Sequence, residues 1–165
     1  GFNGHLFKLS PTGDVLATFG AGFDSTPPVF RHDGTYSIVV KRNGSDPISI
    51  VSLSASLALE WTFVNTNTES CTRQLDGSVT CVDDHPDGFE WCVSQPAMDT
   101  AGTAYANSDD GHLYAIDRSG NLRDSTFLDV VIGAAYAPVA IGGDGRIYAQ
   151  NSGHLIVVGN SVSVP

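Results

Sequence analysis

Gly111-His-Leu-Tyr-Ala-Ile-Asp-Arg-Ser-Gly120 is the stretch that decides the fold, because the chain contains it more than once. Gly4-His-Leu-Phe-Lys-Leu-Ser-Pro-Thr-Gly13 repeats it with the same spacing between its two glycines, and Gly153-His-Leu repeats its opening. Repetition at a fixed period is the sequence signature of an array of similar structural units. The sequence therefore predicts a repeat protein.

The period follows from the separations between repeated residues. Gly111 and Gly153 are 42 residues apart, and the phenylalanines of two Thr-Phe pairs, Phe19 and Phe63, are 44 apart. The next Thr-Phe pair ends at Phe127, 64 residues after Phe63. One unit is therefore longer than the others, and we place an inter-blade insertion at residues 65–94.

Short alternating strands separated by Gly, Asp, Asn and Pro fill each unit, and no helical period is present. In the clearest unit the predicted strands are 97–98, 103–107, 112–117 and 122–127. Four short strands in a unit of this length are typical of one propeller blade. The predicted fold is all-β: a partial β-propeller of four-stranded antiparallel blades spanning residues 1–165, with about three and a half blades.

The blades are expected to divide the chain unevenly. Residues 1–19 would supply the last two strands of a blade, residues 26–63 and 96–127 two whole blades, and residues 137–159 a blade without its outer strand. A closed propeller usually needs four to eight blades. Further blades of the same propeller, or another polypeptide, are therefore expected beside this segment, and we favour a fragment of a larger protein.

The repeated residues resemble the PQQ-like (quinoprotein-type) propeller repeat, whose blades read roughly G-x-L-Y-A-L-D-x-x-T-G-x-x-x-W. The stretch from Ile50 to Phe63 resembles the end of that repeat, including its tryptophan at Trp61. The resemblance implies that Trp61 packs between neighbouring blades, whereas Ala17 and Ser125 take its place in two other units. In repeat type the chain also resembles the propeller lipoprotein of outer-membrane β-barrel assembly. It implies a fold more firmly than a function.

Composition excludes several classes of partner. Acidic residues outnumber basic ones 18 to 8, which gives a formal charge of −10. Binding the phosphates of nucleic acid needs a surface rich in lysine and arginine. Nucleic acid is therefore not expected as a partner. The longest uncharged apolar stretch, residues 130–143, is too short to span a bilayer, so we expect a soluble chain without a transmembrane segment.

Three cysteines lie close together in the sequence, and the turn between two of them predicts how they pair. A three-residue hairpin loop at Leu75-Asp76-Gly77 places Cys71 directly opposite Cys81, within disulfide reach. Cys92 is then left free or paired outside the local loop. A disulfide indicates an oxidising compartment, so we expect an extracellular or periplasmic protein.

Residue patterns that could suggest a metal site are better explained by the repeat architecture and its hairpin turns. The histidines of the repeat, His5, His112 and His154, fall on different blades and are not expected to share a metal ion. The Asp-Gly pairs read as hairpin turns and lack the alternating carboxylates of a calcium loop. No catalytic, cofactor-binding or metal-binding residue is assigned, no cofactor is expected, and the balance is against an enzyme.

The insertion is the most individual part of the chain. It carries charged residues and two large aromatics, and we expect it on the same face as the loops at residues 43–47 and 107–111. The candidate partner-binding residues are Asp83, Asp84, His85, Phe89, Trp91, Asp109 and Asp110. Two interpretations of Phe89 and Trp91 stay open: an exposed binding patch, or residues that lead the chain back into the core.

The favoured function is a non-catalytic propeller scaffold that engages a protein partner through loops on one face. One alternative is a fragment of a PQQ-dependent quinoprotein oxidoreductase whose cofactor residues lie in other blades. Another is a structural subunit of an extracellular assembly, in which separate chains complete each other's sheets. Adjacent cysteines or a calcium-ligand set in the full-length protein would favour the enzyme.

Overall fold

The computed structural model describes residues 4–20, 27–31, 37–42, 48–91, 94–129, 138–151 and 153–159. These residues form strands joined by turns, with no helix among them. The strands are β1 (Leu6–Leu9), β2 (Val15–Phe19), β3 (Val29–Phe30), β4 (Ile38–Arg42), β5 (Ser49–Leu53), β6 (Leu59–Val64), β7 (Glu69–Arg73), β8 (Val79–Asp83), β9 (Ala97–Met98), β10 (Ala104–Asn107), β11 (His112–Ile116), β12 (Leu122–Phe127), β13 (Ala140–Ile141), β14 (Ile147–Asn151) and β15 (His154–Val158).

Consecutive strands pair antiparallel within each sheet. Two sheets have four strands in the orders β3-β4-β5-β6 and β9-β10-β11-β12. The sheet β1-β2 has two strands and the sheet β13-β14-β15 has three. The predicted strands of the clearest blade agree with the observed ones to within one residue at each end.

The four sheets stack face to face in chain order. Val39 and Ile50 of one four-stranded sheet share a core with Ala104 and Ile116 of the next. Similar cores join β1-β2 to the sheet after it, and β9-β12 to β13-β15. The short first strands also contact one another, β3 with β9 and β9 with β13. Antiparallel sheets that stack in chain order with their first strands in contact form a partial β-propeller, which confirms the predicted fold class.

One hairpin loop recurs throughout the described residues. In each copy the N–H of its fourth residue donates to the carbonyl of its first, as Gly13 does to Ser10 and Gly120 does to Asp117. The fourth residue has a positive φ, +94° and +86° in these two copies, which glycine adopts at little steric cost. Leu57 takes the same place at φ 64°, the one non-glycine residue with a positive φ in the described chain.

Trp61 joins the two four-stranded sheets. Its indole Nε1 donates to the carbonyl oxygen of Arg118, 3.0 Å away in the β11–β12 turn of the next sheet. The ring also lies against Gly120, where an added Cβ would be 2.9 Å from two ring atoms. This packing supports the structural role that the repeat resemblance implies for Trp61.

The glycines of the repeated Gly-His-Leu motif occupy equivalent places. Gly4, Gly111 and Gly153 each precede the third strand of their sheet, or its counterpart, with φ between 74° and 82°. A Cβ on Gly111 would lie 2.4 Å from the carbonyl oxygen of Asp129. The three glycines thus share a positive φ, and at Gly111 the neighbouring backbone also approaches closely. The part of the chain that the structure describes holds no helix with the length and apolar character that crossing a membrane requires.

Candidate protein-binding face

The hairpin β7-β8 stands apart from the four stacked sheets as a two-stranded sheet of its own. Cys71 and Cys81 face each other in its register and form a disulfide. The N–H of Gly77 donates to the carbonyl of Gln74, and Gly77 has a φ of +85°. The predicted pairing and the predicted three-residue loop are both confirmed. Cys92 lies outside the described residues.

The inner side of the hairpin faces the sheet β9-β12 across a cleft. Cys71 is buried, and the guanidinium carbon of Arg73 lies 5.5 Å above the centre of the Phe127 ring. Between the hairpin and the sheet is a cleft of about 360 Å³. Among its lining residues are Phe63, Asn65, Glu69, His112 and Tyr114. The hairpin is therefore closed by its own disulfide, and the contact between Arg73 and Phe127 joins it to the sheet.

A buried carboxylate, Asp110, ties the start of the insertion to the loop before β11. It accepts hydrogen bonds from the Tyr114 hydroxyl, from Asn67 Nδ2 at 3.0 Å and from the backbone N–H of His112 at 2.8 Å. Asn65 Nδ2 is also within reach, at 3.3 Å. This polar network fixes the insertion against the propeller, since breaking it would leave a buried charge without partners.

The network sets the ionisation of its members. Burial raises the pKa of Asp110, but hydrogen bonds from His112, Tyr114 and Asn67 outweigh it and hold that pKa at about 2. Burial and the neighbouring Asp110 charge raise the pKa of the Tyr114 hydroxyl above its usual range. Asp110 is thus a carboxylate and Tyr114 a neutral donor at any physiological pH.

Phe89 and Trp91 are buried, with 8% and 0% of their surface exposed. The Trp91 ring packs edge-on against Tyr114, with ring centres 5.3 Å apart, and tilted against Phe63 at 6.0 Å. The chain here returns to the core between two sheets, and Trp91 forms an isolated bridge with Ser108. The interpretation of Phe89 and Trp91 as an exposed binding patch is therefore wrong. The two residues instead lead the chain back into the core. Asp110, 3% exposed, likewise presents no free surface.

The other candidate residues form an exposed rim. Asp83, Asp84, His85 and Asp109 are all exposed. His85 stacks on the Phe89 ring with centres 4.0 Å apart, and its Nδ1 lies 2.6 Å from Asp84. Hydrogen bonds from Ser70 and His85 lower the pKa of Asp84. Phe89, for which an exposed and a buried position were both left open, is buried and stacks against His85 of this rim.

The loop that carries Asp109 meets the end of the insertion, as the sequence predicts. The N–H of Asp109 and the hydroxyl of Ser108 both donate to the carbonyl of Glu90, at 3.0 and 3.1 Å. The rim residues and this loop therefore lie on one face. The loop at residues 43–47, expected on the same face, lies outside the described residues.

Sequence reasoning missed the side chains that hold this face in place. Asn65 and Asn67 sit in a polar stretch that reads as an ordinary loop, and Tyr114 sits in a repeat position that predicts core packing. Lys41 is fully buried on β4, and its Nζ donates to Asn107 Oδ1 at 2.9 Å in the next sheet. In the sequence, the signal for such a contact is a lysine that directly follows an apolar run, Ile38-Val39-Val40.

No three His, Cys, Asp or Glu side chains in the described ranges lie where they could share a metal ion. Two of the motif histidines, His5 and His112, have separate surroundings. His5 stacks on Phe7 and His112 contacts Phe127.

Comparison with known proteins adds little to the fold described above. No protein-family model matches the chain, and no curated protein matches it. Among solved structures, the chain is similar to the crystal structure of BamB from Moraxella catarrhalis, with 13% sequence identity and a TM-score of 0.31. The match covers 94% of this chain and 63% of that one, so the chain spans less than two thirds of that structure's length. The fold assignment rests on the sheets and their packing.

Proposed function

We propose that this chain is a β-propeller scaffold of the PQQ-like repeat type that binds a protein partner through its hairpin face. The hairpin face comprises residues 69–90, within the insertion at 65–94, together with Asp109. One observation carries the proposal: a disulfide-linked hairpin is anchored to the propeller on one side and exposed on the other. Such an element is ordered before a partner arrives, so binding has little ordering entropy to overcome.

The outer side of the hairpin suits contact with an extended segment. Side chains alternate along a strand, so Thr72, Thr80 and Val82 point away from the side that buries Cys71. Every residue of β8 is exposed, Val82 by 62%. In the described part of the chain β8 pairs with β7 alone. An open edge with free backbone N–H and C=O groups can take up a further strand from a partner.

Charge favours a basic partner. The end of β8 and the residues after it carry three exposed carboxylates, Asp83, Asp84 and Asp87. Two further exposed carboxylates, Glu69 and Glu90, lie at the two ends of the hairpin face. The chain as a whole carries a formal charge of −10. Complementary charge steers a partner to such a surface and disfavours acidic competitors. We therefore expect the partner to present an extended, lysine- or arginine-rich segment.

The disulfide supports an extracellular or periplasmic setting for this encounter. Disulfides persist in oxidising compartments and are rare in the cytosol. The Cys71–Cys81 link also closes the element that we propose as the docking edge, so binding would depend on its oxidised state.

Calorimetric titration with a designed probe tests the proposal. The probe is a synthetic peptide of alternating lysine and threonine, long enough to span β8, and its glutamate-threonine counterpart is the negative control. The informative variant is Asp83→Asn/Asp87→Asn, because neither carboxylate accepts a hydrogen bond from the residues that the structure describes. The control, Asp14→Asn/Asp124→Asn, removes the same charge from exposed positions elsewhere, where the asparagine oxygen can still accept the local hydrogen bonds that Ser10, Thr12 and Ser125 donate.

We expect the lysine-threonine peptide to bind and the glutamate-threonine peptide not to bind. Each exposed charge pair contributes about 0.5–1 kcal/mol, so the hairpin variant should bind roughly 5- to 30-fold more weakly. The control variant should bind as the unmodified chain does. Equal losses in both double variants, or no binding of the basic peptide at low salt, would refute the proposed docking face.

A further inference from the structure

The cleft behind the hairpin β7-β8 has the size of a small-molecule site, about 360 Å³. Both of its sides are built by elements from the middle of the chain. Glu69, Cys71 and Cys81 line the hairpin side. They share one face of the hairpin, since Cys71 pairs with Cys81 and Glu69 lies two residues before Cys71 on β7. We propose that this cleft binds a small organic cation of the quaternary ammonium type.

Aromatic rings form the opposite side of the cleft. Phe63 and Tyr114 have ring centres 6.3 Å apart, and their planes are inclined at 55°. The ring of His112 lies 5.9 Å from that of Tyr114, inclined at 48°. Because the rings are inclined to one another, they form a corner rather than a flat wall. The negative face of an aromatic ring attracts a cation, and proteins hold quaternary ammonium groups among several such rings.

The charge in and behind the cleft is negative. Glu69 is exposed on the hairpin side, and Asp110 lies behind Tyr114, whose hydroxyl donates a hydrogen bond to it. Donation to a carboxylate adds electron density to the phenol ring, which strengthens its attraction for a cation. No lysine or arginine belongs to the described residues that line the cleft. The site therefore attracts a positively charged ligand and repels an anion.

The amide groups beside the cleft indicate which type of cation fits, because most of their hydrogen bonds are already made within the protein. Asn65 Oδ1 accepts from the Tyr114 hydroxyl at 3.3 Å and from the backbone N–H of Asn67 at 3.0 Å. Asn67 Nδ2 donates to Asp110 and to the carbonyl oxygen of Glu69, at 3.0 and 3.2 Å. A sugar or a primary amine needs free hydrogen-bond partners, which these amides no longer offer. A quaternary ammonium group has no N–H and needs only the aromatic rings and the negative charge.

Titration of the ¹⁵N-labelled chain with choline chloride at constant ionic strength tests this inference. Saturable amide shifts should appear at the residues that line the cleft, among them Glu69, Cys71, His112 and Tyr114, with millimolar affinity. The matched probe is the uncharged analogue in which a tert-butyl group replaces the trimethylammonium group. It has the same shape without the charge, so it should bind roughly 5- to 30-fold more weakly.

Substitution of the cleft carboxylate measures its share of the binding. Glu69→Gln keeps the shape of the side chain and removes its charge, and should weaken choline binding roughly 2- to 5-fold. Glu90→Gln is the matched control, because Glu90 is exposed on the same hairpin face and is not among the residues that line the cleft. It should leave choline binding unchanged.

Substitution of an aromatic ring measures the other contribution. Phe63→Leu keeps an apolar side chain and removes the ring, so choline should bind roughly 3- to 10-fold more weakly while the uncharged analogue binds as before. Circular dichroism checks the folding of this variant, since Phe63 packs against Trp91.

Equal binding of choline and its uncharged analogue, shifts centred outside the cleft, or no saturable shift would overturn the inference. An equal effect of Glu69→Gln and Glu90→Gln would overturn it as well. Choline has no backbone that could pair with β8, so its failure to bind leaves the proposed docking of a protein segment at the hairpin face untouched. The two proposals therefore fail separately.

Discussion

Replacing Gly120 by alanine probes the contact between Trp61 and the neighbouring sheet. Gly120 has a φ of +86°, and an added Cβ would lie 2.9 to 3.0 Å from three atoms of Trp61. The strained backbone costs about 1–2 kcal/mol, and overlap with a packed side chain adds roughly 1–3 kcal/mol. We expect Gly120→Ala to lower the free energy of unfolding by roughly 2–5 kcal/mol in total.

Gly13→Ala is the matched control for this substitution. Gly13 holds the corresponding place in the β1–β2 turn with a φ of +94°, and an added Cβ would meet nothing within 4 Å. It should therefore cost the backbone strain alone, about 1–2 kcal/mol.

The Trp61→Ala variant completes a double-mutant cycle. By itself it removes a half-buried ring and the hydrogen bond to Arg118, and should cost about 2–4 kcal/mol. In its background Gly120→Ala should cost no more than Gly13→Ala, because the overlapping ring is gone. Urea unfolding followed by circular dichroism measures all four free energies. If Gly120→Ala costs the same with and without Trp61, the inter-sheet role of Trp61 is refuted.

Three further changes test other parts of the structure. Cys71→Ser/Cys81→Ser should lower the free energy of unfolding by about 2–3 kcal/mol for so short a loop; no change in urea unfolding would show that the hairpin unfolds independently. The pKa of Asp110 is about 2 in the folded chain, against 3.8 for a free aspartate. This lowering adds about 2 kcal/mol to the free energy of unfolding above about pH 4, and the gain is lost as the pH falls through 2. Acid titrations of stability should therefore be flatter for Asp110→Asn, and an unchanged profile would contradict the network. Leu57→Gly should be less destabilising than Leu57→Ala by about 1 kcal/mol, because only glycine relieves the positive φ; the reverse order by thermal unfolding would refute the strain.

Local patterns in the sequence predicted much of the fold. The spacing of Gly111, Leu113 and Gly120 set the strands of its blade, because hairpin turns and alternation act over a few residues. The Cys71–Cys81 pairing followed in the same way from one loop. Leu57 shows the limit of such rules, since a leucine takes the turn position that the pattern assigns to glycine and buries its side chain against the neighbouring sheet.

The candidate site was less predictable because burial depends on several sheets at once. Trp91 is covered by Phe63 and Tyr114, which come from different sheets, and no local pattern around Trp91 shows this. Asp110 reads as half of an Asp-Gly turn, yet its partners Asn65 and Asn67 lie more than 40 residues earlier. The carboxylates Asp83 and Asp84 were predicted at the surface correctly, because a charged side chain in a polar stretch is usually exposed whatever the distant packing.

Chemical-shift mapping of the ¹⁵N-labelled chain during titration with the lysine-threonine peptide tests the proposed docking face most directly. The account predicts that the largest shifts fall on β7, β8 and residues 84–90, with Asp109 included. The amides of β12 and β14 should stay unchanged. Shifts centred on another sheet, or spread evenly over the acidic surface, would contradict the claim that the disulfide-linked hairpin is the element that binds.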